Sequence, residues 1–310
     1  MNARVSSLGT VESLIARLQQ QSVSLQDLND QISSGVKISK PSQDPSAYAE
    51  VRTGHDQANQ FDAYQSGIAG LTSSLNQSVS ALQDVQTVLT RANAIAVEGA
   101  NAATDNEGQA ALASEVDGLI NRVLNAANSR TGDGSLFAGT ATNQPAFTVT
   151  ASDAQGNPTT ITYTGSADNG RGQVGAGETV DTFYAGDRIF QQPGNDVFQA
   201  LIGLRDQLRD PSLNPTQRSD ALTQSISTIQ NAQNTILGAI GDQSSGLELM
   251  QSLSTRMDDM KLAVQSRTSD LESTDVADAI VRLKEMDTMY QATLGLTSHV
   301  FSTNLTDFLK

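Results

Sequence analysis

The chain has 310 residues, no cysteine, no tryptophan, and only 4% aromatic residues. Without cysteine there is no disulfide framework, no thiolate nucleophile and no cysteine-based zinc site. Hydrophobic residues reach 37%, which is low for a compact globule. Gln, Asn, Ser, Thr and Ala fill the gap, and a polar, aromatic-poor, helix-patterned chain buries thin seams in place of a thick core. That suits an elongated protein. No apolar run approaches the roughly 18–20 residues of a membrane span. Residues 1–10 carry one arginine with no continuous apolar segment behind it, so no cleaved signal peptide is expected. Cytoplasmic residence, or export by a route that needs no cleaved signal, are the remaining options.

Positive charge is scarce as well. The formal net charge is -15, which argues against nucleic acid and anionic membrane as partners. The acid is unevenly placed: residues 1–40 sum to +1 and residues 280–310 to zero, leaving -16 in the middle. Near-neutral ends with apolar seams can pack against copies of themselves, while an acidic middle stays solvated.

What is present is organised around residues 11–45. Val11, Leu14, Leu18, Gln21, Leu25, Leu28 and Ile32 alternate spacings of three and four, a helix with one narrow seam that only Gln21 interrupts. Gly35 suits the left-handed residue that ends a helix. Pro41 follows, and then Asp44 and Pro45, an N-cap with proline in the first turn of a new helix. A helix of about 25 residues is roughly 40 Å long, and with one stripe to bury it needs a partner helix from elsewhere.

After Pro45 comes the longest heptad, Phe61, Tyr64, Ile68, Leu71, Leu75, Ser78, Leu82, Val85, Leu89, Ala92 and Ala96, broken only by Ser78. Val79, Val88 and Ile95 widen the stripe, so this helix packs against more than one neighbour. A turn over 99–108 leads to a helix carrying Leu112, Val116, Leu119 and Val123, an antiparallel hairpin. From Leu136 to about Asn195 the pattern changes to period two. Strands are expected at 147–150, 160–163 and 179–184, with a hairpin turn at Gln155 to Pro158. Helical spacing returns with Val197, Leu201, Leu204 and Leu208, stops at Pro211 and Pro215, and resumes through Leu222 to Ile240, with a turn or weak point at 241–246. The last segment carries Val276, Ile280, Leu283, Met286, Tyr290, Leu294, Phe301, Leu305 and Phe308. The expected fold is mostly α with an inserted β domain, opening and closing on long seamed helices that pair antiparallel. Three pieces follow: residues 1–40 with 280–310, residues 41–135 with 196–279, and residues 136–195.

Residues for chemistry are sparse. His55 and His299 stand singly, without a second histidine or a carboxylate pair at ligand spacing. Asp258-Asp259 and Asp105/Glu107 read as solvated acids, not a general acid/base pair. Gly170-Arg171-Gly172-Gln173-Val174-Gly175 matches G-x-G-x-x-G, but a strand-like segment follows it where the dinucleotide mechanism needs a helix N-terminus, so it reads as a glycine-rich loop. Asp168-Asn169-Gly170 lacks the ligand series and closing Glu of a calcium loop. The sequons at Asn76 and Asn304 lie in helical patterns, and Met250, Met257, Met260, Met286 and Met289 fall at core spacings. No catalytic residue, cofactor site or metal site is expected, and the chain is read as a non-enzyme.

Gln31-Ile32-Ser33-Ser34-Gly35-Val36-Lys37-Ile38, then Pro41-Ser42-Gln43-Asp44-Pro45, resembles the N-terminal signature of the flagellin superfamily. The two prolines make it similar to the hook-associated protein 3 family of hook–filament junction proteins, because flagellins usually continue with an Asp-Asp-Ala-Ala-Gly-like run. Leu136-Phe137-Ala138-Gly139-Thr140, with Pro145-Ala146-Phe147 after it, resembles that family's passage into its β domain, and Gly186-Asp187-Arg188-Ile189-Phe190 its way out. Tyr290-Gln291-Ala292, Ser298 and Asn304 to Leu309 resemble its C-terminus and differ from flagellin's Val-Leu-Ser-Leu-Leu-Arg-like ending. Two departures stand: Arg4-Val5-Ser6 sits behind three extra residues, and Gln43 replaces a usual Asp.

The resemblance implies coaxial layers, with terminal helices innermost, a helical bundle outside them and the β domain outermost. It implies a structural adaptor of the bacterial flagellum, exported without a cleaved signal by the flagellar type III system to an extracellular place. Its partners would be its own copies in a ring, the first hook-associated junction protein, flagellin, and a cytoplasmic chaperone on the C-terminal helix. The assembly interface is expected at Leu14, Leu18, Leu25, Leu28 and Ile32 at one end and at Leu294, Phe301, Leu305 and Phe308 at the other, with the domain break at Gly35, Pro41, Asp44 and Pro45. The rival readings are a flagellin, a surface-binding module acting through residues 136–195, and, weakest, a nucleotide enzyme.

Overall fold

The computed structural model describes the backbone of residues 2–101, 105–132 and 134–308, and within these spans the side chains of residues 12–299. The chain divides into two compact units, Met1–Phe61 with Asp259–Lys310, and Asp62–Asp258. Seven helices and six short strands are described. The helices are α1 (Asn2–Ser34), α2 (Pro45–Gly99), α3 (Asn106–Ala127), α4 (Asp187–Phe190), α5 (Val197–Arg209), α6 (Pro215–Glu272) and α7 (Val276–Phe308). The strands are β1 (Arg130–Thr131), β2 (Gly134–Ser135), β3 (Phe147–Ser152), β4 (Pro158–Tyr163), β5 (Gly170–Gln173) and β6 (Thr179–Phe183). The strands form three antiparallel two-stranded ribbons, β1–β2, β3–β4 and β5–β6.

In the first unit, α1 stops at Gly35, whose φ of 72° is the left-handed conformation and whose N–H donates to Gln31 O at 2.9 Å. Asp44 Oδ1 accepts the Ser46 and Ala47 N–H groups at 3.0 Å each, capping α2 with Pro45 as its first residue. Gln43 Oε1 accepts the Ser39 and Lys40 N–H groups at 2.8 and 3.1 Å, fixing the loop between the two helices. The break at 35–44 meets a second break at 273–275. Val36 bridges Ser273, Lys37 N–H donates to Glu272 O at 2.7 Å, and Thr274 N–H donates to Gly35 O at 2.9 Å. Asp275 then caps α7 as Asp44 caps α2. This clasp ties the segment just after α1 to the segment just before α7, so the two helices run antiparallel along each other.

The second unit holds the continuous core. The α2 stripe is fully buried at Leu82, Val85, Leu89 and Ala92, and it packs with Leu112 and Val116 of α3, Leu201 and Leu204 of α5, and Leu222, Ile229 and Ile236 of α6. Phe137, Phe147, Phe190 and Phe198 close one end as a ring cluster. Phe147 lies 5.2 Å from Phe198 and 5.4 Å from Phe190, centroid to centroid. Arg205 of α5 is buried at 1% exposure and donates to Pro158 O at 2.6 Å, to Asp117 at 3.3 Å and to Asp206 at 2.9 Å. Arg209 pairs with the other oxygen of Asp117 and, at 3.3 Å, with Asp153. This network locks the β3–β4 ribbon to α3 and α5.

Two expectations differ from the structure. The stretch 241–246 is neither turn nor break: α6 runs unbroken for 58 residues, and neither Gly241 nor Gly246 has a positive φ. Gly170–Gln173, expected as a loop, is strand β5, paired with β6. A Cβ on Gly172 would overlap the Leu71 side chain of α2, so the glycine serves close packing of strand on helix. No helix N-terminus follows it, so the G-x-G-x-x-G match has nothing with which to hold a pyrophosphate.

Candidate assembly interface

The α1–α7 pair is packed less completely than the core of the second unit. Leu14, Leu18, Leu25, Leu28 and Ile32 are all half-buried along the line that α7 covers. Not one described α1 side chain, from residue 12 to residue 34, is buried. On α7 the covered line is Ala279, Leu283, Met286, Tyr290, Thr293 and Thr297, again at spacings of three and four. Of these only Ala279 and Thr297 are buried. The threonines turn their hydroxyls onto their own helix, Thr293 Oγ1 donating to Met289 O at 2.8 Å and Thr297 Oγ1 to Thr293 O at 2.7 Å. Gln21 Oε1, at the seam's one polar position on α1, is buried without a hydrogen-bond partner.

Apolar side chains flank this line on both sides. At 100° per residue, Val276, Ile280 and Leu294 stand on one flank of α7, exposed by 43%, 40% and 43%. Met289 and Leu296, at 54% and 62%, stand on the other. The spacing groups Val276, Ile280 and Leu294 with the seam; all three lie instead beside it, facing water. Phe301, Leu305 and Phe308 lie on α7, and their side chains fall outside the described residues. On α1, Ile15 and Val23 are exposed too.

Charge does little to hold this pair. Lys40–Asp27 at 3.1 Å and Arg282–Asp278 at 2.9 Å are exposed ion pairs of the kind that contribute about 0–1 kcal/mol. His55 Nε2 meets Glu272 at 2.9 Å beside the Val36–Ser273 clasp. Among the described residues no group of three or more His, Asp or Glu is placed to hold a metal, and no helix is long and apolar enough to cross a membrane. Asn169, in the sequence Asp168-Asn169-Gly170, spends its amide on Asp181 and on the Ala185 N–H, so it supports the β5–β6 ribbon. Of the methionine stripe, Met250 and Met257 are core, whereas Met260 is 46% exposed.

The profile of the bacterial flagellin N-terminal helical region matches residues 5–142 of the chain. Flagellar hook-associated protein 3 of Escherichia coli K12 is 24% identical over 79% of this chain and 80% of its own length. The protein of the same name from Salmonella typhimurium is 23% identical, over 73% and 75% respectively. A flagellar hook-associated protein structure from Vibrio parahaemolyticus superposes with a TM-score of 0.65 at 21% identity, over 74% of this chain and all of that one.

Proposed function

We propose, from the premise that the chain belongs to the hook-associated protein 3 (FlgL) family of the flagellin superfamily, that it is the adaptor joining the hook-side junction protein to the flagellin filament. A structural, non-enzymatic role in the flagellum follows from the family itself. The finer reading rests on one observation: among the described residues, the terminal helix pair leaves apolar flanks on both sides of a seam that buries no large side chain.

A pair of long helices with one thin seam gains little against the entropy of ordering them. Neighbouring copies in a ring, with the hook-side protein on one face and flagellin on the other, supply the missing cover for Val276, Ile280 and Leu294 on one side and Met289 and Leu296 on the other. Folding of the ends and assembly are then one event. In this reading residues 1–40 with 280–310 form the inner layer, residues 41–135 with 196–279 the bundle around it, and residues 136–195 the outermost piece. A cytoplasmic chaperone covers the C-terminal helix before export through the flagellar channel, without a cleaved signal. Gly35, Pro41, Asp44 and Pro45 mark the border between inner layer and bundle.

The test is a deletion strain viewed by electron microscopy. Hooks without filaments, with flagellin shed into the medium, are expected, and the wild-type chain restores filaments while a chain lacking residues 301–310 does not. Normal filaments in the deletion strain, or full rescue by the shortened chain, would remove the junction role. Purified chain that polymerises alone into long filaments would make it a bulk filament subunit.

A further inference from the structure

The β3–β4 ribbon has only two strands. Such a ribbon has two edges, and an open edge is a row of N–H and C=O groups on which a strand from another chain can pair. In β3–β4 a side-chain amide occupies one end of each edge. On β3, the Phe147 N–H donates to Asn128 Oδ1 at 2.8 Å and Asn128 Nδ2 donates to Phe147 O at 2.9 Å. One residue giving and taking both bonds is the pattern of an antiparallel neighbour. On β4, the Tyr163 N–H donates to Gln191 Oε1 at 3.1 Å and Gln191 Nε2 donates to Ile161 O at 3.0 Å. Bonding residues two apart on one strand is the pattern of a parallel neighbour.

The register explains why these groups are available. Phe147 faces Tyr163 and Val149 faces Ile161, with the Thr148–Thr162 pair between them, so Phe147, Val149, Ile161 and Tyr163 turn their backbone groups outward, and the amides meet all of these residues but Val149. Farther along β4, Pro158 has no N–H to offer and its carbonyl is taken by Arg205. Farther along β3 the register shifts between Val149 and Ala151, a bulge that twists the edge. Both amides are held by helix ends, for Asn128 is the C-cap of α3 and Gln191 the C-cap of α4. Gln191 is steadied further by Asp196, the N-cap of α5, at 3.2 Å.

We propose that Asn128 and Gln191 act as surrogate edge strands that keep this ribbon from pairing with the ribbon of a second copy of the chain. The groups they occupy are the ones a neighbouring strand needs, and the exposed Val149 beside Phe147 is the apolar contact that such pairing would bury. The inference does not depend on the flagellar reading, since it concerns the chain at any high concentration.

The test compares Asn128→Ala, Gln191→Ala and the double variant with the parent by sedimentation over a concentration series, with amide exchange read at residues 147–151. Each variant is expected to keep its helical circular dichroism and to associate at a concentration at least tenfold lower than the parent. Residues 147–151 gain protection in the associated form, which separates this association from any pairing of the terminal helices. Adding Val149→Lys to Asn128→Ala is expected to reverse the effect. A variant that loses its helices is replaced by Asn128→Asp, which keeps the acceptor for Phe147 and gives up only the donor. Variants that stay monomeric to the parent's limit, whether or not they melt earlier, overturn the proposal and leave the amides a stabilising role alone. Association without new protection at 147–151 overturns it equally.

Discussion

Replacing Ile280 and Leu294 with aspartate should abolish assembly while leaving the isolated chain as folded as the parent. Burying a leucine or isoleucine side chain completely is worth about 1.5–3 kcal/mol. With 40% and 43% of Ile280 and Leu294 still in water, roughly 1 kcal/mol each is withheld in the free chain. Val276, Met289 and Leu296 are exposed to a similar or greater degree, so the two flanks of α7 together hold back on the order of 5 kcal/mol per chain. Spent at an interface, that is a factor of several thousand in an association constant. Leu294→Ala should therefore weaken incorporation by about fivefold, and Leu294→Asp by far more, because an unpaired carboxylate would have to be desolvated. The assay is complementation of the deletion strain, scored by swimming and by flagellin in the medium, beside circular dichroism of the purified variants. The comparison variant is Leu283→Ala, on the covered line between α1 and α7. If Ile280→Asp and Leu294→Asp support normal filaments while Leu283→Ala does not, the flanks are not interfaces and the reasoning is wrong.

Arg205→Met should cost about 3–5 kcal/mol in urea unfolding, because Asp117 and the Pro158 carbonyl lose a buried donor, and adding Asp117→Asn should return part of that; a loss under about 1 kcal/mol would mean the network is slack. Gly54→Ala should destabilise the α2–α6 contact of the first unit by about 1–3 kcal/mol, since a Cβ there would overlap Thr268 Oγ1, and Thr268→Ala should relieve it; calorimetry of the single and double variants decides. Burial pushes the Tyr163 phenol up to about 12 from an ordinary 10.0, and the Tyr184 phenol also rises. Because the folded state favours the neutral phenol, its contribution to stability is complete below pH 10 and drains away as the pH rises towards about 12. Ultraviolet titration should show late-ionising phenols, with the last phase missing in Tyr163→Phe; a single transition for all five tyrosines would contradict the burial argument.

Much of this architecture is readable from spacing because helices impose one period over many residues. The three-four series from Leu14 to Ile32 and the heptad from Ile68 to Ala96 both fall on covered faces, and even Ser78, the polar break, is buried where the series puts it. The hard stop at Gly35 and fresh start at Asp44-Pro45 are local backbone chemistry, and local chemistry survives without tertiary context. Strand β5 was hidden because Gly-Arg-Gly-Gln carries no β propensity of its own; it is a strand because β6 pairs with it and Leu71 leaves room only for hydrogen at position 172. The side-chain clasps at Asn128, Gln191, Gln43 and Arg205 were equally silent, since a single polar residue in a loop or on a helix has no period. Nothing in the spacing separated Leu294 from the seam either, for a line and its flank differ by one residue in the count.

That last difference carries the functional argument. The same chain builds a second unit in which five large side chains of a single helix, Leu75, Leu82, Val85, Leu89 and Ile95, are completely buried. Its failure to bury any described leucine of α1 is therefore no shortage of apolar residues. The described part of the covered line on α7 reaches two threonines, Thr293 and Thr297, and larger apolar residues stand beside it at Ile280, Leu294 and Leu296. A helix selected for a stable two-helix hairpin would place those residues in the seam and the threonines outside. With the order reversed, the hairpin is left marginal and the flanks apolar, which fits ends that are completed by neighbours and not by each other.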